Sequence, residues 1–241
     1  MSIELDPGGA AVIPTRAAVA TWTVAWIAGT VLLASVVLAA MGADFGGDLT
    51  IPEIAAASAV AWAAFGVGLV VVSRRAGSGR PMADFAIGFR PADLVGVPLG
   101  VVTQLIFVPL LYVPLQAIWP DTFSDERLEE RAQDLADRAD GGMVILLALI
   151  VVVGAPIVEE LVYRGLLQRS AAASIGPWPS LLVTSAFFSL IHFAPVEYPG
   201  LFLAGLAFGV CLTLTGRIGP AIVTHASFNA TGLGLVLAST W

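Results

Sequence analysis

The chain has 241 residues, of which 58% are hydrophobic and 12% charged, with a mean hydropathy of +0.90. A soluble domain carries about 25% charged residues, so the composition excludes an ordinary water-soluble globule. The net charge of −7 excludes a nucleic-acid binder that rests on a basic surface. Cys211 is the only cysteine, so no intrachain disulfide can form, and an apolar run around it implies a buried, inert thiol. All eleven basic residues are arginine, as expected of a GC-rich genome.

A bilayer-spanning helix needs about 20 mostly apolar residues. The first candidate is 17–41, with Trp22 and Trp26 near its start. The acids that precede Arg16, Glu4 and Asp6, are unlike a signal peptide, and the apolar run is long enough to span. A loop at 42–50 carries Asp44 and Asp48, and the second span follows at 53–73. Arg74, Arg75, Arg80 and Arg90 cluster next, and 81–92 reads as an interfacial stretch leading into the third span, 93–118. The 119–141 loop carries eight acids and three arginines, and Leu128, Ala132, Leu135 and Ala139 recur in it at helical spacing. A helix capping the bundle is the expectation there. Four further runs follow at 142–173, 179–193, 198–215 and 219–238. Trp119, Trp178 and Trp241 fall near proposed ends, as interfacial aromatics do.

The runs are continuous and rich in Ala, Leu and Val, so short alternating strands of a membrane barrel are disfavoured. The expected fold is an all-α membrane protein: a multi-span bundle of about seven to eight transmembrane helices around a polar cavity. The whole chain, 1–241, reads as one domain. Arg164, Arg169 and Arg217 join the 74–92 arginines on one side, which the positive-inside rule assigns to the cytoplasm. The 119–141 loop then lies outside.

The polar residues of the C-terminal half stand out in this company. Glu159, Glu160 and Arg164 lie within an apolar run, where each charge costs a few kcal/mol or more. The only two histidines follow, His192 preceded by Phe188 and His225 followed by Asn229. Glu160 and Arg164 are four apart and can pair on one helix face, while Glu159 is rotated by about 100°. Phe188 and His192, and His225 and Asn229, share the same spacing. Around a turn at Ile175-Gly176-Pro177-Trp178, antiparallel helices of equal rise bring Glu159 and His192 level. His225 lies about 9 Å from the start of its own span, so the groups meet roughly 10 Å below the cytoplasmic face. Only a few residues separate His192 from Glu197, so the fifth span must be short or tilted, or the sixth must begin inside the membrane. Pro156 weakens the 142–173 helix three residues before Glu159 and can free backbone groups, or break the helix in two.

A carboxylate and an imidazole facing one water can act as a general base, and a second His with an Asn can stabilise an oxyanion. Alternatively Glu159, His192 and His225 can hold zinc or another divalent metal with an open position for water. Both routes lead to amide hydrolysis. Bland readings stand beside them: a Glu–Arg pair can be a structural tie, and a lone His is commonly a satisfied core residue. Asn229-Ala230-Thr231 matches a glycosylation sequon, but within a span that reading has little weight. A transporter or ion-binding protein using the same groups, and a non-catalytic scaffold, are the alternatives. The first should show repeated halves, and none is visible.

Glu-Glu-x-x-x-Arg (Glu159, Glu160, Arg164), Phe-x-x-x-His (Phe188, His192) and His-x-x-x-Asn (His225, Asn229) resemble, in order and spacing, the motifs of the CPBP family, the CAAX proteases and bacteriocin-processing enzymes often called the Abi family. The resemblance covers about 150–232, within a motif-bearing core of about 142–238. It implies an intramembrane endopeptidase of metallo- or glutamate-dependent type, whose cavity opens to the cytoplasm. Its partners would be a peptide or protein substrate, cut near the C-terminus, and the lipid bilayer. It implies that Glu159 with His192 activates water, that His225 and Asn229 stabilise the oxyanion, and that Glu160 and Arg164 orient the site. The expected location is a bacterial plasma membrane, where peptide maturation suits the activity better than prenylated substrates. His-Glu-x-x-His, Gly-x-Gly-Asp and Gly-x-Ser-x-Gly are absent, so other intramembrane protease types are disfavoured.

Overall fold

In hydrocarbon a backbone must satisfy its own hydrogen bonds, and helices do so within one segment. The computed structural model describes residues 12–240, and every regular element among them is helical. The longer ones are α1 (Thr15–Met41), α2 (Ile51–Ala76), α3 (Pro91–Ile118), α4 (Asp125–Asp137), α5 (Met143–Ile175), α6 (Pro177–Leu190), α7 (Tyr198–Thr215) and α8 (Gly219–Thr240). Six of them, all but α4 and α6, are long and apolar enough to cross a membrane. The multi-span bundle is as expected, with one crossing fewer than the seven apolar runs. Helix α6 has 14 residues, about 21 Å at 1.5 Å per residue against about 30 Å of hydrocarbon. The chain turns back at His192–Glu197 before the crossing is complete. Helix α5 is the opposite case: its 33 residues reach about 50 Å, so one end projects beyond the hydrocarbon.

Local chemistry sets the boundaries. Glu53 Oε2 accepts from Thr50 N and Thr50 Oγ1, both at 2.7 Å, and opens α2. Gly176, at φ 85°, separates α5 from α6 with Pro177 directly after it. Helix α5 is continuous through Pro156 rather than broken there. It accommodates the proline by widening to π-helical turns at Leu149–Gly154 and again at Glu160–Gln168.

The motif-bearing helices are braced by the first half of the chain. Helix α3 lies against α8 so closely that a Cβ on Gly100 would strike the backbone at Thr224 O and come within 2.8 Å of Phe228 N. At its start Asp93 accepts from Arg90 N at 2.8 Å and pairs with Arg217 in the α7–α8 turn. The 81–92 stretch is more than interfacial. Asp84 is buried and accepts from Ser73 Oγ at 2.5 Å and Ser78 Oγ at 2.6 Å, and Phe85 is buried against Gly165 of α5. A carboxylate with hydroxyl partners can leave the surface, and it draws the phenyl ring inward with it.

Helix α4 forms as its spacing suggests, opened by Ser124, whose side chain accepts from Arg127 N at 3.4 Å. Ala136 and Ala139 are buried and Leu135 packs on the Ile51 cluster, while Ala132 faces out. Trp119 and Trp178 are exposed, as interfacial residues should be. Trp22 is instead buried, stacked on Trp26 at 5.9 Å and edge-on to Phe187 at 4.7 Å. It lies two turns inside α1, where helix packing reaches it before the membrane surface does. Trp241, Glu4 and Asp6 lie outside the described residues.

The α3–α8 contact gives a direct test. Gly100→Ala forces backbone apart and should lower stability by about 1–3 kcal/mol, read as a fall in thermal midpoint in detergent. Gly66→Ala, with nothing within 4 Å of its Cβ position, is the control and should be neutral or stabilising. Equal effects would contradict the close packing.

Candidate active site

Glu160, Arg164 and Gln168 follow one another at four-residue steps on α5, and all three are buried. Arg164 Nη1 donates to Glu160 Oε1 at 2.8 Å, as the spacing implied, and Nη2 donates to Gly205 O of α7 at 2.8 Å. One turn further, Gln168 Nε2 donates to Gly209 O at 3.1 Å and to Thr213 Oγ1 at 3.0 Å. Helices α5 and α7 therefore run parallel, bonded at matching steps. Glycine permits this approach: a Cβ on Gly205 would lie 3.1 Å from Ser185 of α6, and one on Gly209 would lie 2.7 Å from Gln168 Oε1.

The guanidinium sits over aromatic faces, 4.7 Å from the Phe188 centroid and 5.3 Å from that of Phe208. Cation–π attraction in a desolvated site is worth about 2 kcal/mol. Phe188, 1% exposed, also meets Tyr163, His192 and His225 edge-on, at 5.2, 4.8 and 5.8 Å. It packs rather than reacts, and it joins the two histidines through one ring.

His225 is buried at 4% exposure, stacked on Phe208 at 4.3 Å. Its Nδ1 lies 2.8 Å from Glu160 Oε1, the oxygen that also accepts from Arg164. A carboxylate accepts, so Nδ1 carries the proton and donates. The ring's other nitrogen, Nε2, then faces Glu159 Oε2 at 3.8 Å. The Glu159 side chain is 28% exposed and that of Glu160 0%. The adjacent glutamates thus differ in environment, one enclosed and doubly bonded, the other open. Glu160 Oε2 and Gln168 Oε1 are buried without a hydrogen-bond partner among the described residues.

His192 sits two residues past the end of α6. The last turn tightens, His192 N donating to Ser189 O and Phe193 N to Leu190 O, both at 3.2 Å. This frees the Phe188 carbonyl, and His192 Nδ1 lies 2.7 Å from it. A carbonyl only accepts, so Nδ1 is the donor and Nε2 keeps its lone pair. No hydrogen bond or ion pair within 4 Å joins His192 to Glu159 among the described residues. The nearer imidazole is that of His225.

Asn229 shares a face with His225, but its Nδ2 donates to Val151 O at 2.8 Å. In the π register of Leu149–Gly154 that carbonyl faces residue 156, and proline has no N–H. The asparagine takes the vacant acceptor and fastens α8 to α5. One N–H of its amide is thereby committed to structure, and the second remains for other contacts.

Glu159, His192 and His225 do not converge as metal ligands: among the described residues no group of three or more His, Cys, Asp or Glu is arranged to hold an ion. His225 Nδ1 is already bonded to Glu160. Sequence reasoning missed Gln168, Phe208 and the Gly205 and Gly209 carbonyls. Gln168 was legible as the third member of the 160, 164, 168 stripe, and Gly205 with Gly209 as a small-residue pair four apart.

Arg164→Ala leaves Glu160 buried beside His225 without its cation, at a cost of about 3–5 kcal/mol. The expected outcome is a large fall in thermal midpoint in detergent and poor recovery from membranes. Arg164→Lys should recover only part of the loss, because one ammonium cannot reproduce the fork between Glu160 and Gly205. Wild-type stability of Arg164→Ala would contradict the burial of the pair.

Residues 141–231 match the family model described as "Rce1-like: Type II CAAX prenyl endopeptidase Rce1-like", and the first 140 residues lie outside the match. No curated protein and no solved structure matches the chain. The matched segment contains all of α5 to α7 and the part of α8 that carries His225 and Asn229, and its similarity to the Rce1-like endopeptidase model is consistent with the CPBP motifs.

Proposed function

We propose that the protein is an intramembrane endopeptidase that hydrolyses a peptide bond with water activated by Glu159. The observation that carries this reading is the division of labour between adjacent carboxylates. Glu160 is enclosed by Arg164 and His225, while Glu159 is open and 3.8 Å from His225 Nε2. A carboxylate in that position takes a proton from a water as the water attacks the substrate carbonyl. The electron pair moves to the carbonyl oxygen, and the tetrahedral intermediate collapses when the leaving amine receives a proton. Glu159 returns the proton to the leaving amine, and His192 Nε2, with its lone pair free, accepts a hydrogen bond from the attacking water. His225, when Nε2 carries a proton, donates to the developing oxyanion, its ring held by Glu160. Asn229 keeps α8 in register through Val151 and has its second N–H for the same oxyanion. The arrangement needs no step through a metal, and zinc or another divalent ion would require Glu159, His192 and His225 to regroup.

The substrate in this reading is a peptide or protein cut near its C-terminus and approached from the cytoplasm. The arginines Arg74, Arg75, Arg80 and Arg90 support the cytoplasmic side by the positive-inside rule, and in this reading the α5–α6 hairpin projects there too. The family description supports a CAAX-type C-terminus. In a bacterial plasma membrane, peptide maturation is the matching role.

The test is cleavage of a quenched peptide library by purified wild type, Glu159→Ala and His192→Ala in detergent. The wild type should cleave, and each variant should fold with turnover lowered at least about 100-fold. Equal turnover in all three would overturn the assignment. Metal analysis of the same samples separates the routes: activity that survives chelation without stoichiometric metal supports the side-chain mechanism, and loss on chelation with recovery on zinc overturns it.

A further inference from the structure

His192 lies beyond the last turn of α6, so its place depends on the reversal that follows rather than on a helix. That reversal is strained. Phe193 has φ 52°, a left-handed conformation that glycine ordinarily supplies at a helix end, and its ring is 69% exposed. Its ring meets Trp26 at 6.4 Å, and the turn itself is held by contacts from neighbouring segments.

Exposed Arg131 of α4 reaches His192 O at 3.5 Å and Glu197 at 3.7 Å, and two buried side chains supply the shorter bonds. Ser189 Oγ donates to Tyr198 O at 2.7 Å, closing the reversal from the α6 side. Tyr112 of α3, 5% exposed, closes it from the other limb. Its hydroxyl donates to Val196 O at 2.9 Å and accepts from Gly200 N at 3.1 Å. One phenol thus joins the end of the turn to the first residues of α7. Gly200 leaves room for it, since a Cβ there would lie 3.2 Å from the Tyr112 hydroxyl. Phe123 packs on the ring at 5.8 Å.

The geometry points to Tyr112 as a positioning residue for His192. It acts from a helix outside the motif-bearing segment, through the 191–197 reversal, and never touches the reacting groups. Without the hydroxyl, Val196 O and Gly200 N lose their shared partner and the left-handed Phe193 loses one of its restraints, with Ser189 and the Arg131 contact to His192 O remaining. The His192 ring then leaves the Phe188 carbonyl that fixes its tautomer. The catalytic consequence rests on the proposed function; the positional claim does not.

The experiment uses the presence of only two histidines in the sequence. Full-length protein labelled with 15N-histidine in detergent gives two rings, distinguished by His192→Ala. In Tyr112→Phe the His192 signals should shift from a fixed Nδ1–H form toward mixed tautomers, while His225 stays unchanged and the melting temperature stays within a few degrees. Gly200→Ala, which displaces the same hydroxyl, should do likewise. On a peptide that wild type cleaves, Tyr112→Phe should lower kcat about tenfold or more with KM unchanged, and should slow His192→Ala no further. Unaltered His192 signals in both variants, or equal changes at His225, would overturn the inference. Altered His192 signals with wild-type turnover in His192→Ala would uphold the positioning and overturn the catalytic role of His192 instead.

Discussion

One carboxylate oxygen, Glu160 Oε1, accepts from Arg164 and from His225 at 2.8 Å each. Three polar groups that are individually costly in an apolar interior become one unit, and each member loses its compensation if another is removed. The unit spans two helices, and Arg164 extends it to a third through Gly205 O. Phe188 and Phe208 cover the guanidinium and Phe208 stacks on His225, so the charges meet polarizable faces rather than bare hydrocarbon. The positions of α5, α7 and α8 follow from satisfying this cluster.

The rest of the bundle makes that arrangement geometrically possible. Gly205 and Gly209 let α7 approach α6 and the Gln168 side chain of α5, and Gly96 and Gly100 let α3 press on α8. The widened turns of α5 rotate and free backbone groups where an ideal helix would hide them. The carbonyl of Val151, left without a partner by Pro156, receives Asn229, so a defect in one helix becomes a bond to another. What remains open after these demands are met is Glu159, beside the one imidazole nitrogen that the cluster leaves unbonded. The asymmetry between neighbouring glutamates is a result of packing, because α5 can turn only one of them inward.

Much of this was legible in the chain. The spacing of Glu160 and Arg164 foretold their pair, and the few residues between His192 and Glu197 required a fifth span that is short or tilted, or a sixth that begins inside the membrane; α6 is the short one, ending at Leu190. Six of the seven apolar runs correspond to helices among the described residues that are long and apolar enough to cross a membrane, and the 179–193 run does not. The partner of His225 was not legible, since Glu159 and Glu160 differ by one helical step and the widened turn alters that step. Asn229 shares its expected face with His225, but its bond to Val151 depends on a backbone register that side-chain spacing does not encode. Trp22 looked interfacial because hydropathy does not report which face of α1 meets α6. Tyr112 carries no motif, and its link to residues 196 and 200 crosses more than eighty positions of sequence.

The central claim is that Glu160 holds the site together while Glu159 works in it. Glutamine replaces either carboxylate at nearly constant shape, so paired measurements of thermal midpoint and turnover on Glu159→Gln and Glu160→Gln separate the roles. The account predicts that Glu159→Gln melts like wild type and does not cleave, whereas Glu160→Gln melts far lower as its bonds to Arg164 and His225 weaken. A destabilised Glu159→Gln beside a Glu160→Gln of wild-type stability would contradict it.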